Sequence, residues 1–278
     1  MLAKTQAEKA AEFLKLHHGP RPLVLANVWD VVSARLVERA GFPAVATSSA
    51  ALANSLGYPD GQHISRQEML AVVARIAAKV SVPVSADLEA GYGWSLEDIA
   101  KTARGLVEAG TVGLNFEDGT SDPEKPLADV AGQVEKIKCL RATGERLGIH
   151  ILINARTDVY LHDVGEPAAR FDHTVRRLEA YRQAGADCLF APGVHDAETI
   201  GRLAKSVGGP LNILAGPMTP PIAELARLAV ARVSFGSWPM RAVMGVFDRF
   251  VRELRDRGTF STLGNAAIPY AEMNKLVD

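Results

Sequence analysis

Along the chain one phrase recurs: an amphipathic segment, a glycine, then a short apolar run. It is seen at Glu38-Arg39-Ala40-Gly41 before Ala44-Val45-Ala46, and at Glu108-Ala109-Gly110 before Val112 to Phe116. It returns at Gln183-Ala184-Gly185 before Cys188-Leu189-Phe190. A glycine just past a helix can take the left-handed conformation that ends it. A continuous apolar run is what a strand covered by helices requires. Eight such strands are predicted, at residues 23–26, 44–47, 83–86, 113–116, 150–155, 188–191, 211–215 and 232–235. Between them, Met69, Leu70, Val73, Ile76 and Ala77 share one helical face, and Ser95 is placed to cap a helix carrying Leu96, Ile99, Ala103 and Leu106. A later helix is predicted to begin at Thr219, with Pro220 in the first helical position, where the missing N–H costs nothing. Eight strands alternating with helices, without a break in composition, predict a single (β/α)8 TIM-type barrel spanning residues 1–278. A doubly wound open sheet is the competing α/β reading. Its usual glycine-rich first turn is not matched by Ala26-Asn27-Val28-Trp29-Asp30.

Two further helices flank the barrel pattern, one at about residues 4–17 and a long one at about 239–257, which a tail follows. On the second, Val243, Met244, Phe247, Phe250, Val251 and Leu254 form an apolar face wider than a surface helix needs. It packs either on its own barrel or against another subunit.

Charge and composition exclude several classes. With a formal net charge of −1 and scattered Lys and Arg, the chain has no nucleic-acid footprint. No apolar run approaches the ~18 residues of a spanning helix, so no membrane partner is expected. The N-terminal segment is mixed and charged rather than a secretory signal. Two cysteines, Cys139 and Cys188, make no disulfide framework, so a cytoplasmic location is expected. His17 and His18, at the end of the first helix, are expected to be solvated.

In a barrel, chemistry belongs at the C-terminal ends of the strands. After the second strand come Thr47-Ser48-Ser49 and a loop to Asp60; the third ends in Asp87-Leu88-Glu89, the fourth in Glu117-Asp118 and the fifth in Arg156-Thr157-Asp158. Asp60, Asp87, Glu89 and Glu117 therefore gather at one mouth. Asp87 and Glu89, two apart, point the same way from an extended strand end. Two carboxylates ~4 Å apart repel by about 4 kcal/mol at an effective dielectric of 20, a cost that a divalent cation relieves. Oxygen-only ligands favour Mg²⁺ or Mn²⁺ over Zn²⁺. The plainer alternative is that these acids cap helices or pair with arginine, and Arg156 has a salt-bridge partner within reach in Asp158 or Glu117. No strand ends in Lys, which disfavours a Schiff-base aldolase, and neither a Gly-x-Ser-x-Gly elbow nor a Walker loop is present. Gly236-Ser237, after the last strand, is a weak phosphate-cradle signal.

Over nearly its whole length the chain resembles the isocitrate lyase/phosphoenolpyruvate mutase superfamily, and four motifs carry the likeness. Asp87-Leu88-Glu89-Ala90-Gly91-Tyr92-Gly93 is similar to that family's Asp-x-Asp-x-Gly-Tyr-Gly, with Glu in place of the second Asp. Phe116-Glu117-Asp118 and Ala155-Arg156-Thr157-Asp158 are similar to its Glu-Asp and Ala-Arg-Thr-Asp motifs. The stretch from Ser48 to Asp60, ending Leu56-Gly57-Tyr58-Pro59-Asp60, resembles its substrate-contacting segment. The resemblance implies Mg²⁺ held by Asp87, Glu89 and Glu117, partly through water. It implies a small 2-oxo or 2-hydroxy acid, or a phosphonate analogue, whose carboxylate meets Ser48 and Ser49 and whose developing enolate oxygen meets Arg156. Asp60 takes a functional role in this reading. The likeness also implies a homo-oligomer, dimer or tetramer, with the last barrel helix swapped between subunits.

Departures from the family narrow the expectation. The lyase branch carries Lys-Arg-Cys-Gly-His after the fourth strand. Here the loop reads Gly119-Thr120-Ser121-Asp122-Pro123-Glu124-Lys125-Pro126, and the mutase branch's Lys and Asn are not evident in it. Cys139 lies beyond the loop, on a helix, as a packing residue. Ala191-Pro192-Gly193 lacks the Glu that the lyases place on a second carboxylate. Isocitrate and methylisocitrate are therefore poor candidates. The expected activity is a Mg²⁺-dependent carbon–carbon lyase, phosphoenolpyruvate mutase-like but without the cysteine loop. P–C bond chemistry and a non-catalytic barrel that binds an oxo acid are the alternatives.

Overall fold

The computed structural model describes residues 4–120, 122–264 and 267–278, so Ser121 of the loop above lies outside the described residues. Among them run nine parallel strands: β1 (Leu23–Leu25), β2 (Asn27–Val28), β3 (Val45–Thr47), β4 (Val84–Asp87), β5 (Gly113–Glu117), β6 (Leu152–Arg156), β7 (Cys188–Phe190), β8 (Leu211–Leu214) and β9 (Arg232–Ser234). They form one sheet in the order β1-β9-β8-β7-β6-β5-β4-β3-β2. The first predicted strand is in fact two pieces that meet at Ala26; β1 pairs with β9 and β2 with β3, which brings the ring round on itself. Asn27 bridges this seam. Its Nδ2 donates to the Thr47 carbonyl (2.8 Å), and its Oδ1 accepts from the N–H groups of Phe235 (2.7 Å) and Gly236 (3.0 Å).

The helices are α1 (Gln6–Leu16), α2 (Val31–Arg39), α3 (Ser49–Ser55), α4 (Arg66–Lys79), α5 (Leu96–Glu108), α6 (Val130–Arg146), α7 (Pro167–Gln183), α8 (Ala197–Ser206), α9 (Ile222–Arg227), α10 (Trp238–Arg257) and α11 (Tyr270–Val277). Ser95 caps α5 as predicted, accepting from the Asp98 N–H. The predicted start at Thr219 is corrected to Ile222. Pro220 precedes Pro221, and a residue before proline is pushed out of the helical region. The Thr219 hydroxyl instead bonds to the backbone of Gly216.

The expected continuous apolar character holds for only part of the barrel. Leu114, Ile153, Leu189, Ile213 and Val233 join the apolar layer against the helices, whereas Asn115, Asn154, Asn212 and Arg232 alternate with them and are buried. With side chains alternating across a strand, the second set lines the interior, which is therefore polar. Phe13 of α1 seats at the N-terminal end of β5, where a Cβ on Gly113 would lie 2.8 Å from its ring. His17, expected in solvent, is buried beside it. Its Nδ1 pairs with the Phe13 carbonyl at 2.8 Å, and its ring meets Phe13 edge-on at 4.9 Å. Burial and the nearby Arg232 charge pull its pKa down to about 3. His18 is exposed as expected.

The α10 face is not covered by its own barrel: Met244, Phe247 and Val251 are 46%, 59% and 44% exposed. No described helix is long and apolar enough to cross a membrane.

Candidate active site

The decisive strand ends fall slightly later than the hydrophobic pattern predicts. β5 runs to Glu117 and β6 to Arg156, so these two residues are cross-strand partners in the ladder. Arg156 Nη1 lies 2.6 Å from Glu117 Oε2, and its Nε donates to Asp158 Oδ1 at 2.5 Å. Nη2 donates to Asp158 Oδ2 at 3.0 Å. Both anticipated salt bridges thus exist at once. Burial opposes the arginine's charge, but Glu117 and Asp158 outweigh it and hold the guanidinium protonated beyond its ordinary range.

Asp158 is itself held from below. Its N–H donates to Asp118 Oδ1 (3.0 Å), while Asp118 Oδ2 accepts from Arg177 Nη1 (2.9 Å) and the Tyr181 hydroxyl (2.6 Å). Arg177 and Tyr181 lie one turn apart on α7, and Asp118 is fully buried. Asp87 is fixed from inside the barrel: Oδ1 accepts from Asn115 Nδ2 at 3.1 Å. Asn115 Oδ1 in turn accepts from Asn154 (2.8 Å) and the buried Arg232 (3.1 Å). On its other side Asp87 Oδ2 accepts from the backbone N–H and hydroxyl of Ser49, both at 2.9 Å.

Glu89 has donors on both oxygens. Oε2 accepts from the Gln62 N–H (2.6 Å) and Oε1 from the Tyr92 hydroxyl (2.9 Å); the Tyr92 N–H donates to Gln62 Oε1 (2.7 Å). Burial raises its pKa to about 7, the charges of Asp60 and Asp87 adding to the effect and the Tyr92 and Gln62 hydrogen bonds opposing it. Burial also lifts Asp60, with help from the Asp87 charge.

Ser49, Asp60, Glu89, Glu117 and Arg156 all line one cavity of about 340 Å³. Ser48 and Asp87 do not line it: Ser48 caps α3, and Asp87 is bonded to Ser49. The cavity wall also includes Gln62, His63, Asp158, Leu161 and His162. The sequence reading missed Gln62, His63 and His162, since a polar residue in a loop carries no periodicity. Arg177, Tyr181 and Arg232 were missed because their partners are far away in the chain. Tyr92 was within a motif but had no assigned partner. Neither cysteine lines the cavity. Cys139 donates to the Leu96 carbonyl at 3.3 Å, and burial pushes the Cys188 thiol up to about 12.

The residues suit a hard cation. The donors are all oxygens, they are desolvated, and buried Glu117 Oε2 has no hydrogen-bond partner among the described residues, only the Arg156 ion pair. Among the described residues no three His, Cys, Asp or Glu side chains are grouped closely enough to hold a metal ion by themselves.

The sequence profile of the phosphoenolpyruvate phosphomutase family matches residues 13–255. The chain belongs to this family. Through it, the protein is a member of the isocitrate lyase/phosphoenolpyruvate mutase superfamily of carbon–carbon lyases and mutases. A solved Burkholderia cenocepacia structure described as a lyase/mutase is 40% identical, with a TM-score of 0.90, over 97% of this chain and 95% of that one. The 2-methylisocitrate lyase of Escherichia coli is 27% identical over 250 residues, 86% of this chain and 81% of the relative. The oxaloacetate decarboxylase of Rhodopseudomonas palustris is 30% identical over 253 residues, 88% and 84% of the two chains. The barrel of the phosphoenolpyruvate phosphomutase family is thus the one described above.

Proposed function

We propose that the protein is a Mg²⁺-dependent lyase that cleaves a carbon–carbon bond in a small 2-oxo or 2-hydroxy carboxylic acid and leaves an enolate. The observation that carries this reading is Arg156, clamped by Glu117 and Asp158 in the wall of an acidic cavity. A guanidinium whose orientation is already set loses nothing on meeting a developing oxyanion, and prearranged charge of this kind is the largest catalytic lever in many sites. In this reading Ser49, which lines the cavity, meets the substrate carboxylate, while Ser48, expected beside it, caps α3 instead. Asp60, in the cavity wall, works through water. Glu89 and Glu117, which line the cavity, would hold Mg²⁺, or Mn²⁺ in its place, with Asp87, bonded to Ser49 and Asn115 outside the cavity wall, as the third ligand that the resemblance implies. Bound there, the cation would draw negative charge onto the oxo and carboxylate oxygens. The relative named an oxaloacetate decarboxylase supports cleavage of a carbon–carbon bond one carbon removed from the oxo group of a 2-oxo acid. The methylisocitrate lyase supports the bond type, although this chain lacks the cysteine loop.

The family profile itself favours a second reading, P–C bond chemistry as a phosphonomutase or phosphonopyruvate hydrolase. One experiment separates the possibilities: a panel of 2-oxo and 2-hydroxy acids with phosphonopyruvate, assayed with Mg²⁺ for pyruvate, phosphoenolpyruvate and phosphate. Pyruvate-like product from a carbon substrate is expected, abolished by chelator and restored by Mg²⁺ or Mn²⁺. Phosphate or phosphoenolpyruvate formed from phosphonopyruvate would establish the second reading. Binding without turnover would mean an oxo-acid-binding barrel, and full turnover after metal removal would sink the metal assignment. We place the protein in the cytoplasm as a dimer or tetramer, with α10 buried on or swapped into a second copy.

A further inference from the structure

Five described non-glycine residues have positive φ, and three of them stand together: Gln62 (+60°) and Glu89 (+50°), which line the cavity, and Tyr92 (+56°), bonded to both. Side chains with a Cβ avoid this left-handed region, so three such residues persist in one place only if the surroundings hold them there. What holds them is a closed ring. Gln62 donates its N–H to Glu89 Oε2, Tyr92 donates its hydroxyl to Glu89 Oε1, and the Tyr92 N–H returns to Gln62 Oε1, at 2.6, 2.9 and 2.7 Å. The ring ties the loop after α3, which carries Asp60, to the loop after β4, which carries Glu89. Burial, with the Glu89 charge beside it, keeps the Tyr92 hydroxyl protonated and so a donor.

We propose that Gln62 and Tyr92 are positioning residues that aim the Glu89 carboxylate at the cation; this rests on the metal reading of the same site. Glu89 occupies the place where the resemblance leads one to expect the shorter Asp. The extra methylene adds a torsion, and an unheld glutamate would scatter its carboxylate over several rotamers. Two donors, one on each oxygen, remove that freedom before any cation arrives. Groups that orient a metal ligand typically carry 10- to 100-fold in metal affinity when they are removed. The left-handed backbone fits this role. In it the Gln62 N–H and the Tyr92 hydroxyl both meet one carboxylate.

The test is Mn²⁺ binding to the full-length protein, read from the loss of the free-Mn²⁺ electron paramagnetic resonance signal. The variants are Tyr92→Phe, which removes the hydroxyl donor to Glu89 Oε1, and Gln62→Asn, which tolerates the left-handed backbone and keeps the N–H that donates to Glu89, but whose side chain is too short to accept from the Tyr92 N–H, so the ring is opened. Gln62→Gly stands in should the Asn variant not fold. Each is expected to weaken Mn²⁺ binding about tenfold or more, with the near-ultraviolet circular dichroism of the metal-free protein unchanged. A merely structural role would shift thermal stability and leave Mn²⁺ affinity alone. Affinities within twofold of wild type in folded variants would overturn this inference while the metal reading stands. No binding by the wild type, or binding that survives Asp87→Asn, would overturn both.

Discussion

His17 offers the sharpest quantitative test of the architecture, because a histidine under a barrel must stay neutral. Its folded pKa of about 3 lies below the ordinary value near 6.5. The unfolded chain therefore binds a proton that the folded chain refuses, and stability falls as pH drops through 6.5 towards 3. At pH 5 the unfolded imidazole is almost fully charged while the folded one is almost fully neutral. The linkage difference between pH 7 and pH 5 is then about 2 kcal/mol, rising to about 4 kcal/mol at pH 3. His17→Gln removes this titration. Urea unfolding of both proteins at pH 7 and pH 5 gives two pH differences, and the wild type should lose about 2 kcal/mol more than the variant. Equal losses, or an imidazole titrating near its ordinary value by nuclear magnetic resonance, would refute the burial of His17 beneath the barrel.

Three further outcomes are expected. Gly91→Ala should destabilise by about 2–4 kcal/mol in denaturant, since φ is +94° and the new Cβ would lie 2.7 Å from Ile99 Cδ1 and 2.9 Å from Phe116 Cε2; a wild-type midpoint would contradict this. Cys139→Ser and Cys188→Ser should keep most turnover on whatever substrate the panel identifies, the buried Cys188 variant losing about 1–3 kcal/mol of stability. A ~10³-fold fall in kcat with the fold intact would expose a reactive thiol. Phe247→Asp should turn an oligomer into monomers by light scattering at micromolar concentration, because each 100 Å² of apolar surface kept from water contributes about 2.5 kcal/mol. A wild type already monomeric would remove the reason for the exposed face.

Much of the site was legible before the structure. Glu117 and Arg156 end neighbouring strands, so their pairing in one cavity follows from topology, whereas Asp87 ends a strand too but is bonded to Ser49 outside the cavity wall. Glu89 and Asp60 sit in loops next to such ends and reach the same cavity. Legibility stopped where a residue's surroundings come from elsewhere in the chain. Asp118, within a recognised motif, is a buried anchor for Asp158 rather than a cavity residue, because Arg177 and Tyr181 arrive from α7.

The sequence by itself determined the class of fold, since helix stops at glycine and the strands that follow are written in neighbouring residues and need no distant partner. It also placed Asp60, Glu89, Glu117 and Arg156 at the barrel mouth, where they line one cavity. The tertiary structure alone decided that the interior is polar, that His17 is sealed beneath it, and that Arg232 and Asn115, 117 positions apart, brace Asp87. It alone joined Gln62 to Glu89 and Tyr92 across two loops. The physical reason is range: periodicity records which face of an element avoids water, whereas a buried polar group is satisfied by whichever donor the closed ring of strands brings to it.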